Sequence, residues 1–200
     1  MNYLAHAYLS FRNPELLLGN MISDYVKGKK QFDYPPAVQQ GIRLHRFIDS
    51  FTDSHEATLG MKQLFRADYR LYGGAFADVV YDHFLATDPR YFQETTLLQF
   101  SEWVYTSLEP QSAWFPERFD RMFPYMKTQN WLYHYRTVEG TEQSFGGLVR
   151  RAAYLTDSRA ACRIFEKNYQ QLGDYYLQFF PELLAAVEQY YNEQLLSLSN

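Results

Sequence analysis

The chain has a single cysteine, Cys162, so it can form no internal disulfide. It cannot build a zinc site from four cysteines, or from two cysteines and two histidines, or hold a cluster on its own thiolates. Glycine and proline are scarce, at 10 and 8 of 200 residues, which excludes a collagen-like chain and a proline- and glycine-rich disordered one. No run approaches the roughly 20 apolar residues that a membrane-spanning helix needs. Basic residues are not in excess. The 19 Lys and Arg against 23 Asp and Glu leave a formal charge of −4, whereas general nucleic-acid binders carry a basic surplus. The opening Met1-Asn2-Tyr3-Leu4-Ala5-His6 has neither a basic start nor a long apolar stretch, so no secretory signal is expected there. These absences predict a soluble, cytoplasmic protein with no nucleic-acid or membrane partner.

Aromatic residues are abundant: 18 Tyr, 16 Phe and 3 Trp make up 18% of the chain. Many of these rings must be core, with tyrosine hydroxyls left at its wet edge or lining a pocket. Val and Ile are few beside Leu, Phe and Tyr, and the apolar spacing is helical almost throughout. Breakers divide the chain into helix-length segments. Asn13-Pro14 opens one that runs to Gly28, and Pro35-Pro36 opens the next, with Val38, Ile42, Ile48 and Phe51 as its apolar stripe. Gly73-Gly74 separates a helix around Met61–Arg70 from one over Phe76–Ala86. Thr95 or Thr96 is expected to cap a helix reaching Leu108, Thr141 one reaching Leu155, and Asp157 or Ser158 one reaching Leu172. Pro181 fits the first turn of a last helix, and the proline-containing stretch Glu109–Pro124 is expected to be irregular. The simplest account is one all-α domain, a helical bundle over residues 1–200.

Three stretches could carry chemistry. In Gly41 to Asp53, His45, Asp49 and Asp53 fall at i, i+4 and i+8 on one slowly rotating helical face. An imidazole and a carboxylate one turn apart can bind one cation, or the carboxylate can orient the imidazole; the bland alternative is a solvated face with an ion pair. In Asp78 to Leu85, Asp78 and Asp82 share a face and His83 follows directly, among Val79, Val80, Phe84 and Leu85. Buried carboxylates and imidazoles there need partners or a metal, and a hydrogen-bonded core would satisfy them equally. His6, in Tyr3-Leu4-Ala5-His6-Ala7-Tyr8-Leu9, and Asp24, after Gly19-Asn20-Met21-Ile22-Ser23, are polar groups set among apolar neighbours. Taken together, His and Asp on several helices suit a hard or borderline divalent cation such as Mn²⁺, Mg²⁺, Fe²⁺ or Zn²⁺. Arg43, Arg46, Lys27, Arg66 and Arg70 could stabilise phosphate charge nearby, or simply be solvated.

Four blocks carry a resemblance. Met1 to His6, Leu18-Gly19-Asn20-Met21-Ile22-Ser23-Asp24-Tyr25-Val26-Lys27-Gly28, Gly41 to Asp53, and Asp82-His83-Phe84-Leu85-Ala86 are similar in order and spacing to the acyl carrier protein phosphodiesterases, also called acyl carrier protein hydrolases. The resemblance covers nearly the whole chain and is most specific over roughly its first 90 residues. It implies an all-α, HD-phosphohydrolase-like fold and a divalent metal, typically Mn²⁺, with Mg²⁺ or Fe²⁺ as alternatives. It also implies hydrolysis of the phosphodiester between 4′-phosphopantetheine and a serine of holo-acyl carrier protein. The resemblance places Asp24, His45, Asp82 and His83 at the metal, and Asp49, Arg46 and His6 in catalysis. The usual order of the HD pair is His then Asp; here it is Asp82 then His83. The other functions that these residues allow are an HD-like hydrolase of a nucleotide or small phosphodiester, or a non-catalytic helical protein that holds a hydrophobic ligand.

Overall fold

The computed structural model describes residues 2–196, and no strand occurs among them. Eleven α-helices succeed one another among the described residues: α1 (Tyr3–Tyr8), α2 (Pro14–Ile22), α3 (Pro36–Ser54), α4 (Glu56–Tyr69), α5 (Gly73–Thr87), α6 (Glu94–Leu108), α7 (Glu117–Thr128), α8 (Trp131–His134), α9 (Val138–Arg151), α10 (Arg159–Lys167) and α11 (Tyr169–Tyr190). Short 3₁₀ turns link several of them, including Ser23–Tyr25 and Gly28–Asp33 between α2 and α3.

The aromatic surplus is core. Phe65 stacks on Phe76, Phe145 packs edge-on to Phe65, and Tyr81 stacks on Phe179 at 4.3 Å between ring centroids. The Tyr81 hydroxyl, fully buried with its ring, meets Thr58 Oγ1 at 2.9 Å, and the Tyr176 hydroxyl donates to Asp88 Oδ2 at 2.9 Å. Each ring thus buries its carbon face and keeps a partner for its oxygen.

Several helix boundaries differ from the sequence expectation. Proline 14 does open α2, with the Asn13 side chain accepting from Glu15 and Leu16 N–H, but the helix ends at Ile22, well before Gly28. Thr137, not Thr141, caps α9 through the Gly140 N–H, and Thr141 is buried inside that helix. The stretch expected to be irregular forms a 3₁₀ turn, Glu109–Trp114, and then α7, with Pro124 inside it. Pro181 lies in the middle of α11. The carbonyl it leaves unpaired belongs to Leu177, which is exposed, so water can serve it, while buried Phe179, Phe180 and Leu183 hold the helix together.

The crossing of α2 on α3 is unusually close. A Cβ on Gly19 would collide with the Val38 carbonyl and stand 2.8 Å from the Gly41 Cα. A Cβ on Gly41 would collide in turn with the Leu16 carbonyl. The two backbones therefore touch without intervening side chains. Asn20, one residue beyond Gly19, is brought against the helix that carries His45.

Candidate metal centre

The buried His6 of α1 and His45 of α3 stack face to face, their ring centroids 4.0 Å apart and their planes 15° from parallel. Both are anchored on Asn20 of α2. Asn20 Nδ2 donates to the His6 carbonyl (2.8 Å) and to Ser10 Oγ (3.1 Å), so its Oδ1 is the atom that faces His6 Nδ1, at 2.7 Å. The Asn20 backbone carbonyl faces His45 Nδ1 at 2.8 Å. Both partners are acceptors, so each imidazole must carry its proton on Nδ1. In the neutral ring this leaves Nε2 with a lone pair, the form in which histidine ligates a metal.

The two Nε2 atoms turn toward one carboxylate. Asp49, one helical turn past His45, has Oδ2 3.0 Å from His45 Nε2 and Oδ1 3.3 Å from His6 Nε2. Asp24 Oδ1 lies 3.3 Å from His45 Nε2. The candidate ligand atoms of His6, His45 and Asp49 lie within 4.8 Å of one another.

The electrostatics divide the two rings. Burial pulls the His6 pKa down to about 4, helped by the adjacent His45 charge. Burial also opposes charge on His45, but Asp24 and Asp49 outweigh it and hold its pKa at about 9. Asp49 is raised by burial and lowered more by His45 and His6, which leaves it far below the usual carboxylate range; His45 likewise lowers Asp24. At neutral pH the group is a neutral His6, a cationic His45 and two carboxylates. His6 Nε2 is then a buried lone pair facing an anion, and it makes no hydrogen bond, although Asp49 Oδ1 is 3.3 Å away. A donor set of two imidazole nitrogens and two carboxylates fits a borderline or hard divalent cation, and such a cation would satisfy that lone pair.

The family model described as acyl carrier protein phosphodiesterase matches residues 1–183. The chain belongs to the acyl carrier protein phosphodiesterase family. Its relatives of that name include one from Yersinia pestis, 31% identical over 94% of this chain and 98% of its own length. One from Photorhabdus laumondii is 29% identical over 94% of this chain and 96% of its own, and one from Klebsiella pneumoniae is 29% identical over 98% of this chain and 100% of its own. No solved structure matches the chain.

Of the residues singled out from sequence, His6, His45, Asp49 and Asp24 come together. Asp82 and His83 have other partners. Fully buried Asp82 accepts from the Leu4 N–H (2.7 Å) and the Ala5 N–H (3.1 Å), which ties α5 to the first turn of α1. Burial raises its pKa to about 7, against the pull of those two N–H groups. His83 has Nδ1 2.8 Å from the Tyr135 carbonyl and Nε2 2.8 Å from the Tyr169 hydroxyl, so both ring nitrogens are engaged, and burial lowers its pKa. Arg46, exposed on α3, donates to Gln31 Oε1 (2.8 Å) and the Val26 carbonyl (3.4 Å), bracing the segment that follows Asp24. Asp53, next along the His45 face, pairs with Lys62 instead. Asn20 was not singled out as a functional residue. Its one signal in the sequence is an amide between Gly19 and Met21 in an apolar helix, where a buried amide needs partners.

Proposed function

We propose that this chain is a metal-dependent phosphodiesterase that hydrolyses the bond between 4′-phosphopantetheine and its serine in holo-acyl carrier protein, releasing apo-acyl carrier protein. The observation that carries the reading is the buried Nε2 lone pair of His6, set beside His45 and Asp49 in a chain of this family. His6, His45 and Asp49 would hold the cation, with Asp24 beside them; Mn²⁺ suits this mixed donor set, as do Mg²⁺ and Fe²⁺. A divalent cation bound there would draw charge from a phosphoryl oxygen and acidify the attacking water.

The protein residues position and balance that chemistry. Asn20 fixes both imidazoles with Nε2 outward, so the donor atoms are arranged before anything binds. Asp49 spans both Nε2 atoms and offsets positive charge on the cluster. The histidines form the floor, and the carboxylates face solvent, with the Asp24 side chain 68% and the Asp49 side chain 39% exposed. A centre this close to the surface is open to a phosphodiester carried on another protein and gives a free nucleotide little enclosure. The exposed cations Lys27, Lys29 and Lys30 follow Asp24, and exposed Arg43 and Arg46 flank His45, offering an acidic carrier protein a complementary field. With that carrier as substrate, the enzyme works in the cytoplasm.

The test is to incubate the full chain with Mn²⁺ and holo-acyl carrier protein and to follow the carrier by mass spectrometry. The expected result is loss of the phosphopantetheine group, abolished by chelator and by Asp49→Asn. An unchanged carrier mass with Mn²⁺, Mg²⁺ and Fe²⁺ alike would overturn the reading.

A further inference from the structure

A cleft of about 630 Å³ opens between α1, α8, α9 and α10, within the range of about 300–1,000 Å³ typical of small-molecule sites. None of the residues so far placed at the metal centre lines it. A smaller depression of about 240 Å³ shares Trp131, Gly147, Arg150 and Arg151 with it and reaches Tyr25, the residue after Asp24. The two recesses thus form a groove that runs along α9 and reaches Tyr25, the neighbour of Asp24 in the chain.

The connection is physical at its near end. The Tyr3 and Tyr25 hydroxyls lie 2.9 Å apart. Tyr3 is on the cleft wall, and His6 sits one turn further along the same helix α1. Arg151 lines both recesses, including the smaller one that reaches Tyr25. Arg150 and Arg151 are exposed and form no ion pair among the described residues, which leaves their charge for a ligand.

The lining is mixed. Trp131 offers an aromatic face, and Gln143, Ser144 and Asn2 offer amide and hydroxyl groups. The floor along α9 is bare at Gly146 and Gly147. A Cβ on Gly147 would meet only the Arg150 guanidinium, at 3.7 Å, and one on Gly146 only that guanidinium at 3.4 Å and Ser158 Oγ at 3.9 Å. A hydrocarbon chain would find these amides unrewarding, and an inorganic anion would leave most of the cleft empty. A chain of amides with a branched alkyl alcohol near one phosphorylated end uses each part: amides to Gln143 and Asn2, alkyl surface to Trp131, phosphate to Arg151.

We infer that this groove receives the pantetheine arm of the substrate, with its phosphate at the Tyr25 and Arg151 end and its thiol end toward α10. The inference rests on the proposed reaction, and it makes Arg151 and the bare α9 face determinants of specificity. The arm lies along α9 while its phosphodiester is presented to the cluster of His6, His45 and Asp49. Hydrolysis then leaves 4′-phosphopantetheine in the groove and releases the carrier protein.

The experiment is a calorimetric titration of the Mn²⁺-charged full chain with 4′-phosphopantetheine, pantetheine and inorganic phosphate, repeated for Gly147→Leu and Arg151→Gln after their folding is checked by circular dichroism. The unaltered protein should bind 4′-phosphopantetheine about tenfold or more tighter than phosphate, because the amide chain adds buried contacts. Gly147→Leu fills the groove and should weaken 4′-phosphopantetheine and pantetheine by about tenfold or more. Arg151→Gln should weaken 4′-phosphopantetheine severalfold and spare pantetheine, since it removes only a phosphate contact. Equal binding of 4′-phosphopantetheine by the unaltered protein and both folded variants would overturn the inference, as would phosphate binding as tightly as 4′-phosphopantetheine. Failure of the unaltered protein to remove the arm from holo-acyl carrier protein would overturn the functional reading instead, because the titration requires no turnover.

Discussion

The rings of His6 and His45 lie 4.0 Å apart and nearly parallel, yet they hold opposite protonation states at neutral pH. One positive charge is all the pair accommodates, and the carboxylates of Asp24 and Asp49 assign it to His45. Cation binding must therefore displace the Nε2 proton of His45. His45 has a raised pKa, so the stabilisation it contributes to the metal-free fold is complete below about 6.5, its unfolded value, and is lost as pH rises through about 9. Metal affinity should run the other way. Calorimetry with Mn²⁺ in buffers of different ionisation heat should show release of roughly one proton per ion near pH 7. Apparent affinity should climb with pH and level off above about 9. A pH-independent affinity across this window would remove His45 from the ligand set.

Asn20→Ala strands His6 Nδ1 by removing its acceptor and takes one donor from the His6 carbonyl and from Ser10 Oγ, which keep their bond to each other, while the backbone bond to His45 remains. The expected loss is about 1–3 kcal/mol of stability in urea unfolding. Because a partner that orients a ligating imidazole is lost, metal affinity should fall about 10–100-fold as well. Unaltered metal affinity in a folded variant would show that His6 needs no such support.

The two helix-crossing glycines should be far less tolerant than Gly28. Gly41→Ala drives a methyl group into the Leu16 carbonyl, with no flexible side chain to give way. It should cost about 1–3 kcal/mol or more, as overpacking does, and disturb the His45–Asn20 contact. Gly28→Ala meets nothing within 4 Å and pays only for its φ of +55°, about 1–2 kcal/mol. Thermal unfolding of both, with metal content measured alongside, tests the contrast: Gly41→Ala should lose metal, and Gly28→Ala should keep it.

Asp82 provides a pH test of the other constellation. Its folded pKa of about 7 lies above the unfolded value of about 3.9, so the folded state holds the proton more tightly. Its contribution is complete below about 3.9 and is lost as pH rises toward about 7, above which it stays lost. Urea unfolding of the unaltered protein and Asp82→Asn across this window should differ by a pH-dependent amount that flattens near 7. A constant difference would show that Asp82 titrates normally.

Lys29→Glu with Lys30→Glu reverses charge on the exposed segment beside Asp24. With holo-acyl carrier protein as substrate, kcat/KM should fall by about tenfold at low salt, because the field that steers an acidic partner is reversed. The gap should narrow near 1 M salt, where the Debye length is about 3 Å. A gap that salt does not change would assign these lysines to folding or direct contact rather than steering.

The all-α fold was legible because helical spacing and breakers are local signals. His45 and Asp49 were legible for the same reason, being one turn apart on α3. Thr141 and Pro181 misled because a capping residue and a helix-opening proline have the same identity when tertiary packing holds them inside a helix. Asp82 and His83, which the resemblance places at the metal, have partners that stand far off in sequence and that no local pattern gives: the Leu4 and Ala5 N–H groups, the Tyr135 carbonyl and the Tyr169 hydroxyl. Asn20 escaped notice because its importance depends on the Gly19–Gly41 contact, which no local pattern announces.

The tie from Asp82 to the first turn of α1 also bears on the order in which a growing chain becomes competent. His6, Asn20, Asp24, His45 and Asp49 all belong to its first quarter and emerge early from the ribosome. Yet α1 has six residues, too few to stay helical alone in water, and its opening N–H groups are held by a carboxylate some eighty positions later. Until α5 has been made and has docked, Asn20 can still meet His6, but the first turn of α1 that carries it lacks the carboxylate that pins it. A nascent chain that ends before Asp82 therefore carries every residue of the cluster but lacks the carboxylate that pins the turn bearing His6, and the cluster gains its full support only once α5 has been made.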